Sequence, residues 1–211
     1  FVRPGRGEPY FLPALPHEQV AQGERIMRMF LDTGAAITAE DLGTVPDYVR
    51  ESLGRLGLPG YLIQRWEREW EQPGQPYKDP ASWVENAVAT TGTHDTETVA
   101  EWWEAMPDDE RRVASEVPAV RHALDGQVPP TLTPAARDAI LASLYESRSN
   151  LVILPFQDLF GWHDRINTPA TVGDRNWRWA LPWPVDRLQS VPVAADRAAA
   201  LLALAQRTGR F

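Results

Sequence analysis

Hydrophobic and polar positions along the chain follow the periods of helices and of short buried strands. Apolar residues recur three and four positions apart in 17–32, which predicts a helix. A short apolar run over Ala35–Asp41, bounded by glycines, predicts a buried strand that ends in two carboxylates. The string Thr44-Val45-Pro46-Asp47 then predicts a second helix, which should stop near Gly57.

The same order of strand and helix recurs further along the chain. Strands are predicted over 61–66, 87–93 and 151–154, and helices over 99–106, 108–117, from Thr133-Pro134 onward and over 194–206. The segment 156–184 has no clear period. Strands that alternate with helices are typical of βαβ units with a parallel sheet, so the predicted fold class is α/β. Four such units amount to half of a (β/α)8 barrel.

Composition narrows the class of protein. The 211 residues are 43% hydrophobic and include nine Trp and no Cys, which predicts a soluble globular protein that is too short for a whole barrel of about 250 residues. A net charge of −8 argues against a nucleic-acid partner, and no apolar run is long enough for a membrane helix. The lack of Cys is compatible with the cytoplasm. The first residue, Phe1, predicts a chain cut from a longer protein, and the oligomeric state stays open.

Acidic residues follow three of the predicted strands. The pairs are Glu40-Asp41, His94-Asp95 and Gln157-Asp158. Because the carboxyl ends of parallel strands share one edge of the sheet, these side chains are candidates for a common site. Cleavage of a glycosidic bond requires one carboxylic acid that protonates the leaving oxygen and a second carboxylate that acts on the sugar.

Each of these positions also has a simpler interpretation. Asp41 is suited to cap the following helix, and Asp95 is suited to cap a helix beside a satisfied histidine. His94-Asp95 is alternatively part of a metal site in an unrelated barrel enzyme. The other histidines, His17, His122 and His163, show no ligand spacing around them, so no metal ligands are predicted.

Longer strings point to one family. They are Ala39-Glu40-Asp41-Leu42-Gly43-Thr44-Val45-Pro46, Gly57-Leu58-Pro59-Gly60, Thr91-Gly92-Thr93-His94-Asp95-Thr96, Pro155-Phe156-Gln157-Asp158-Leu159 and Asn176-Trp177-Arg178-Trp179. In this order, from about Gly34 to Pro184, the chain resembles the 4-α-glucanotransferases. These are the amylomaltases or disproportionating enzymes, glycoside hydrolase family 77 of the α-amylase clan.

The resemblance implies roles for single residues. Glu40 matches the general acid/base, and Asp95 matches a carboxylate that binds sugar hydroxyls and stabilises the transition state. His94 matches a hydrogen-bonding residue for the same sugar, and Asp41 and Gln157 match supporting positions. The implied reaction is retaining transfer of α-1,4-glucan segments between maltooligosaccharides, without a cofactor or metal. The implied fold is the C-terminal half of the barrel, strands 5–8, with residues 1–211 as a partial catalytic domain whose N-terminal half is absent from this chain.

One part of the family pattern is missing. The family's nucleophile is an Asp in an Arg-Ile-Asp-His string, and the similar string Asp164-Arg165-Ile166-Asn167 has Asn at that position. We interpret it as the family's Arg-X-Asn-X-Pro motif in the C-terminal tail. Residues 1–211 alone are therefore expected to be inactive. A non-catalytic glucan-binding relative and an α-glucan hydrolase of the same clan are the alternatives.

Tryptophans suit a glucan because sugar C–H faces stack on flat rings. Trp66 directly follows a predicted strand, so it is the candidate sugar platform, with packing as the other interpretation. Trp102 and Trp103 lie on a predicted helix and are expected to pack in the core.

Overall fold

A computed structural model of the protein describes residues 11–210. This range contains eight α-helices and three β-strands, together with two short 3-10 helices at Pro80–Ser82 and Val185–Ser190. The helices are α1 Pro16–Leu31, α2 Asp47–Leu56, α3 Val99–Ala105, α4 Asp108–Ser115, α5 Pro118–Leu124, α6 Pro134–Tyr145, α7 Phe156–Phe160 and α8 Pro192–Arg207; the strands are β1 Gly60–Ile63, β2 Ala87–Thr90 and β3 Leu151–Val152. In residues 11–210, no helix has the length and apolar composition needed to cross a membrane. The chain divides into two compact units, one reaching to Tyr61 and including Asn86–Val88, the other containing the remaining residues.

The first unit contains α1 and α2, and one carboxylate joins these helices. Glu24 accepts hydrogen bonds from Ser52 Oγ at 2.9 Å and from Arg55 Nε and Nη2 at 3.1 and 2.9 Å. The bond with Arg55 is the main cause of the lowered pKa of Glu24. α2 ends at Leu56, and the next residue, Gly57, has a φ of +69°, in the left-handed region that favours glycine. Both predicted helices and the predicted stop are confirmed.

The strand predicted over Ala35–Asp41 is wrong, because this segment is irregular. The Ala39 N–H donates to the Pro59 carbonyl at 2.9 Å. In a parallel ladder, the next bond would run from the Tyr61 N–H to the Ala39 carbonyl. The Tyr61 N–H instead donates to Asp41 Oδ1 at 2.8 Å. The Asp41 side chain therefore takes the donor that would have extended the strand.

The other three predicted strands exist but are shorter than expected. They form one small parallel sheet in the order β1-β2-β3, and every residue of the central β2 is buried. β1 is followed by a turn in which the Trp66 N–H donates to the Ile63 carbonyl at 2.8 Å. β2 ends where the Thr90 hydroxyl donates to the Gly92 carbonyl at 2.8 Å, because a side chain that bonds the local backbone competes with the ladder.

The largest apolar cluster of the second unit lies among α3, α4, α5 and α6. Trp103 is fully buried, its indole N–H donates to the Pro129 carbonyl at 2.9 Å, and Trp102 packs against the same cluster. The packing predicted for both tryptophans is confirmed. α3 starts with a capping box, in which Thr98 and Glu101 each bond the other's backbone N–H through their side chains.

The helical predictions after α3 hold with one omission. Thr133 caps α6 as expected, accepting a hydrogen bond from the Ala136 N–H at 3.2 Å. The helix predicted over 108–117 corresponds to α4, and Pro118 then opens the unpredicted α5. Proline fits the first turn of a helix, where its missing N–H costs nothing, so Pro118 can begin a new helix directly after α4.

The C-terminal region also follows the prediction with one addition. α7 lies in the segment 156–184, for which no period was found, and α8 extends the predicted helix by one or two residues at each end. Arg210, three residues after the end of α8, fixes this end of the chain to α6 and the loop after it. Its guanidinium donates to the carbonyls of Tyr145, Ser147 and, at 2.8 Å, Ser149. It thereby satisfies carbonyl groups at and beyond the end of α6.

Candidate functional site

The loop that follows β2 is a tight turn held by threonines. The Thr93 N–H donates to Thr96 Oγ1 at 2.9 Å, the Thr96 hydroxyl donates back to the Thr93 carbonyl at 3.0 Å, and the Asp95 N–H donates to Thr93 Oγ1 at 3.2 Å. A Cβ atom at Gly92 would overlap Thr96 Oγ1, so any larger residue there would displace the Thr96 hydroxyl from this turn. This turn presents His94 and Asp95 at the carboxyl edge of the sheet.

Asp95 is held by residues from a distant part of the chain. The Asn167 side-chain amide donates to Asp95 Oδ1 at 2.6 Å, and Arg165 donates to the Asp95 carbonyl at 2.7 Å. His94 Nε2 lies 3.5 Å from the same Oδ1 atom. The Asp95 side chain is 44% exposed, so its carboxylate is oriented and still accessible to a ligand.

The guanidinium of Arg165 joins its own segment to the loop after β2. Besides Asp95, it binds the Asn167 carbonyl at 2.7 Å and the Glu97 carboxylate at 2.9 Å, and Arg65 Nη1 lies 3.3 Å from Glu97. Burial alone would raise the pKa of Glu97. The bond with its own backbone and the charges of Arg165 and Arg65 outweigh burial and lower that pKa. An ionised Glu97 therefore links the loop after β1, through Arg65, to the segment that holds Asp95.

Asp158, which the sequence groups with the candidate carboxylates, is 1% exposed and so does not reach a substrate. It accepts a hydrogen bond from the Thr91 hydroxyl at 2.5 Å and one from the Val99 N–H at 2.8 Å. Burial raises the pKa of Asp158, and these two bonds partly oppose that effect. Its neighbour Gln157 is also buried and donates to the Asp164 carbonyl at 3.1 Å. Both side chains anchor loops next to the site.

We expect Asp158→Ala to reduce the free energy of unfolding by about 2–4 kcal/mol, because two buried donors lose their acceptor. Asp158→Asn should cost less, since its amide oxygen still accepts from Val99. Urea denaturation followed by tryptophan fluorescence measures both, with the exposed Asp186→Ala as control. Equal midpoints for Asp158→Ala and the control would contradict the anchoring role.

The ring of Trp177 packs against the ring of His94 in a tilted arrangement, with a centroid distance of 5.0 Å and an interplanar angle of 40°. Backbone hydrogen bonds hold the two residues near the tail motif. The Asn167 N–H donates to the His94 carbonyl at 3.1 Å, and the Trp177 N–H donates to the Ile166 carbonyl at 2.9 Å. His94, Asp95, Asn167 and Trp177 therefore form one surface, the "Asp95 site".

Glu40 lies in the first unit, in the irregular segment before α2, and is exposed. Its neighbour Asp41 is partly buried, and besides Tyr61 it contacts Arg50, whose Nε lies 3.6 Å from Asp41 Oδ2. Gly60 lies so close that a Cβ there would come within 2.6 Å of Asp41 Oδ1. Asp41 therefore holds the backbone next to Glu40. The joint action of Glu40 and Asp95 stays a prediction.

Trp66 lies in the turn after β1 and is 42% exposed. The tryptophan ring that packs against His94 is that of Trp177. Trp70, further along the same loop, is 57% exposed and has the Arg68 guanidinium 5.5 Å from its ring centroid. The sugar-platform role of Trp66 stays a prediction. In the described part of the chain, no three His, Asp or Glu side chains are grouped so that they could hold a metal ion.

The fold and the site define an α/β protein that presents an oriented carboxylate at the edge of a parallel sheet. Comparison with known proteins identifies its family. The family model of glycoside hydrolase family 77, described as 4-alpha-glucanotransferase, matches residues 15–186. The chain belongs to this family.

Individual relatives agree with the family match. The 4-alpha-glucanotransferase of Chlamydia pneumoniae is 33% identical over 192 residues, which cover 84% of this chain and 34% of that protein. The Chlamydia caviae protein of the same name is 29% identical, with 86% and 35% covered. The structure of the amylomaltase from Streptococcus agalactiae in complex with acarbose superposes with a TM-score of 0.63 at 26% identity, covering 82% of this chain and 32% of that one. The chain spans about a third of the length of these relatives.

Three residues at or next to the Asp95 site have no functional role in the sequence prediction, namely Arg165, Asn167 and Trp177. All three occur there only within strings that carry the family resemblance. A signal for the first two was present, since an Arg-X-Asn string in a polar loop supplies donors suited to a carboxylate. Which carboxylate they bind became visible only in the structure.

Proposed function

We propose that the polypeptide to which this chain belongs transfers α-1,4-glucan segments between maltooligosaccharides. Glu40 protonates the leaving glucosyl oxygen and later deprotonates the acceptor hydroxyl. Asp95 binds hydroxyls of the sugar next to the cleaved bond and stabilises the oxocarbenium-like transition state, while His94 donates a hydrogen bond to the same sugar. The reaction is a retaining double displacement, with a nucleophilic carboxylate from outside these 211 residues and a second glucan in place of water as acceptor.

The arrangement around Asp95 is the observation that carries this proposal. A carboxylate that stabilises a transition state must be oriented before the substrate arrives, so that no reorganisation is needed during the reaction. Asn167 and His94 both lie against Oδ1, which leaves Oδ2 for sugar hydroxyls. Family membership supports the same assignment.

We further propose that residues 1–211 form part of a catalytic (β/α)8 barrel and contribute its strands 5–8, with the irregular segment 35–41 at the position of strand 5 and with β1, β2 and β3 as strands 6–8. β3 lies at an edge of the sheet; Leu151 in this strand is 44% exposed, and Ile153, directly after it and bonded through its N–H to the Ala89 carbonyl, is 56% exposed. Apolar side chains on an edge strand favour cover by a further strand. The match to this chain covers only 34% and 35% of the two Chlamydia relatives, so they have enough sequence for the other half of such a barrel.

The proposed partners are α-1,4-glucans and maltooligosaccharides, without nucleic acid or membrane. Binding of acarbose by the related amylomaltase supports this substrate class. Trp66 is proposed as a stacking platform because it is exposed and follows β1 in a loop at the carboxyl edge of the sheet. We also propose a cytoplasmic location, with which the Cys-free sequence is compatible.

The proposal is tested with maltotriose and two purified proteins, the full-length polypeptide and residues 1–211. We expect the full-length protein to form glucose and a ladder of longer maltooligosaccharides. Residues 1–211 should form neither, because the nucleophile is missing. Glucose and maltose without longer products would identify a hydrolase, and glucan binding without any turnover would identify a non-catalytic relative. Turnover by residues 1–211 would contradict the proposed division of the site.

A further inference from the structure

Trp177 has an uncommon backbone conformation for a bulky side chain. Its φ is +61°, in the left-handed region where a Cβ atom meets the neighbouring carbonyl. For an aromatic residue this conformation is strained. A strained residue persists where contacts with its surroundings hold it in place, and such residues concentrate at functional sites.

Several hydrogen bonds fix the position of Trp177. The preceding residue, Asn176, closes the loop 168–176 with its side chain: Oδ1 accepts from the Thr168 N–H at 3.1 Å, and Nδ2 lies 3.0 Å from Thr171 Oγ1 and 3.2 Å from the Thr171 carbonyl. Trp177 is then bonded through its own N–H to Ile166. The loop therefore holds the strained residue in place.

The ring so placed is largely open to solvent. The Trp177 side chain packs against His94 and is nevertheless 64% exposed, whereas Trp103 and Trp83 of the same unit are 0% and 3% exposed. Burial of apolar surface therefore does not explain why a tryptophan occupies this strained position. A flat indole beside His94 and the oriented Asp95 carboxylate fits the apolar face of a sugar ring, whose C–H groups pack on an aromatic face.

We propose that Trp177 is a substrate-binding residue that stacks on the glucosyl unit whose hydroxyls Asp95 and His94 bind. This inference rests on the proposed function and assigns a specificity contact within it. Because the stacking contact is made equally with the bound substrate and in the transition state, its loss should raise KM and leave kcat nearly unchanged.

The experiment compares Trp177→Ala, Trp177→Gly and Trp177→Phe in the full-length polypeptide, with maltotriose as substrate. We expect the Ala and Gly variants to raise KM about tenfold and Phe to stay within about threefold of wild type, because Phe retains an aromatic face. Val172→Ala, at a fully exposed position of the same loop, should leave KM unchanged. The melting temperature of Trp177→Gly should exceed that of Trp177→Ala by about 2–4 °C, because glycine tolerates the positive φ.

Two results would overturn the inference while the proposed function stands. One is an active wild type together with a Trp177→Gly variant whose KM is unchanged. The other is a fall in kcat at constant KM in all three variants, which would show that the ring acts through His94 and does not contact the sugar. A wild type that makes no products from maltotriose would overturn the proposed function itself.

Discussion

Asp95→Asn should lower kcat for glucan transfer by about a thousandfold, the upper range for loss of one group that stabilises transition-state charge. The amide oxygen of the new side chain still accepts the hydrogen bond that Asn167 donates to Asp95 Oδ1. The substitution therefore keeps the contact to the tail loop and removes the negative charge. Because that charge matters most when the sugar becomes positive, kcat should fall much more than KM rises.

Initial rates of glucose release from maltotriose by the full-length polypeptide test this expectation. Asp186→Asn, which neutralises an exposed carboxylate of the same unit, should retain wild-type rates. Asn167→Ala should give an intermediate loss, because the charge of Asp95 remains while its orientation is weakened. A kcat for Asp95→Asn within tenfold of wild type would refute the assigned role.

Glu40→Gln should remove the ladder of longer maltooligosaccharides while glucan binding stays nearly intact. General acid–base catalysis contributes about 10²- to 10⁴-fold, and a glutamine cannot supply the proton that the leaving glucosyl oxygen needs. Glutamine has nearly the same shape as glutamate, so contacts with bound sugar should persist. Binding is measured by calorimetry with acarbose, and turnover is measured with maltotriose.

The acid role of Glu40 has a sharper signature in the leaving group. α-Glucosyl fluoride releases fluoride, which needs little protonation, so the first step with this donor should be much less impaired than with maltotriose. Glu51→Gln, a neutralised exposed carboxylate on α2, is the matched control and should behave as wild type. If Glu40→Gln abolishes acarbose binding, or slows both donors equally, Glu40 binds sugar and does not transfer the proton.

Local signals explain the successful fold predictions. Each confirmed feature depends on a residue and its neighbours within a few positions. Examples are the cap at Thr133, the stop at Gly57 and the helical period in α1. The failures arose where a distant partner competes with the local pattern. Asp41 removes a ladder bond at Tyr61, twenty residues away in the chain, and no local pattern reveals that competition.

The candidate site likewise combines residues that a local string reveals with residues that only distant contacts reveal. The pair His94-Asp95 is found from its string because both residues lie in one turn after β2. Asn167, which holds Asp95, lies 72 residues later in sequence. The role of Asp158 likewise depends on its burial, since a carboxylate after a strand is equally compatible with catalysis and with anchoring α3.

The amino-acid pattern was thus sufficient to establish the α/β class, most of the helices and the family, and to single out His94 and Asp95, the two residues of the turn after β2 to which the proposed function assigns roles. These features depend on short-range periodicity and on strings of adjacent residues. Only the tertiary structure shows that Asp158 is a buried anchor of α3, that Arg165 and Asn167 hold Asp95, and that Trp177 packs against His94 in a strained backbone conformation. The physical reason is that burial, hydrogen-bond partners and strain arise from residues far apart in the chain, which come together only when it packs.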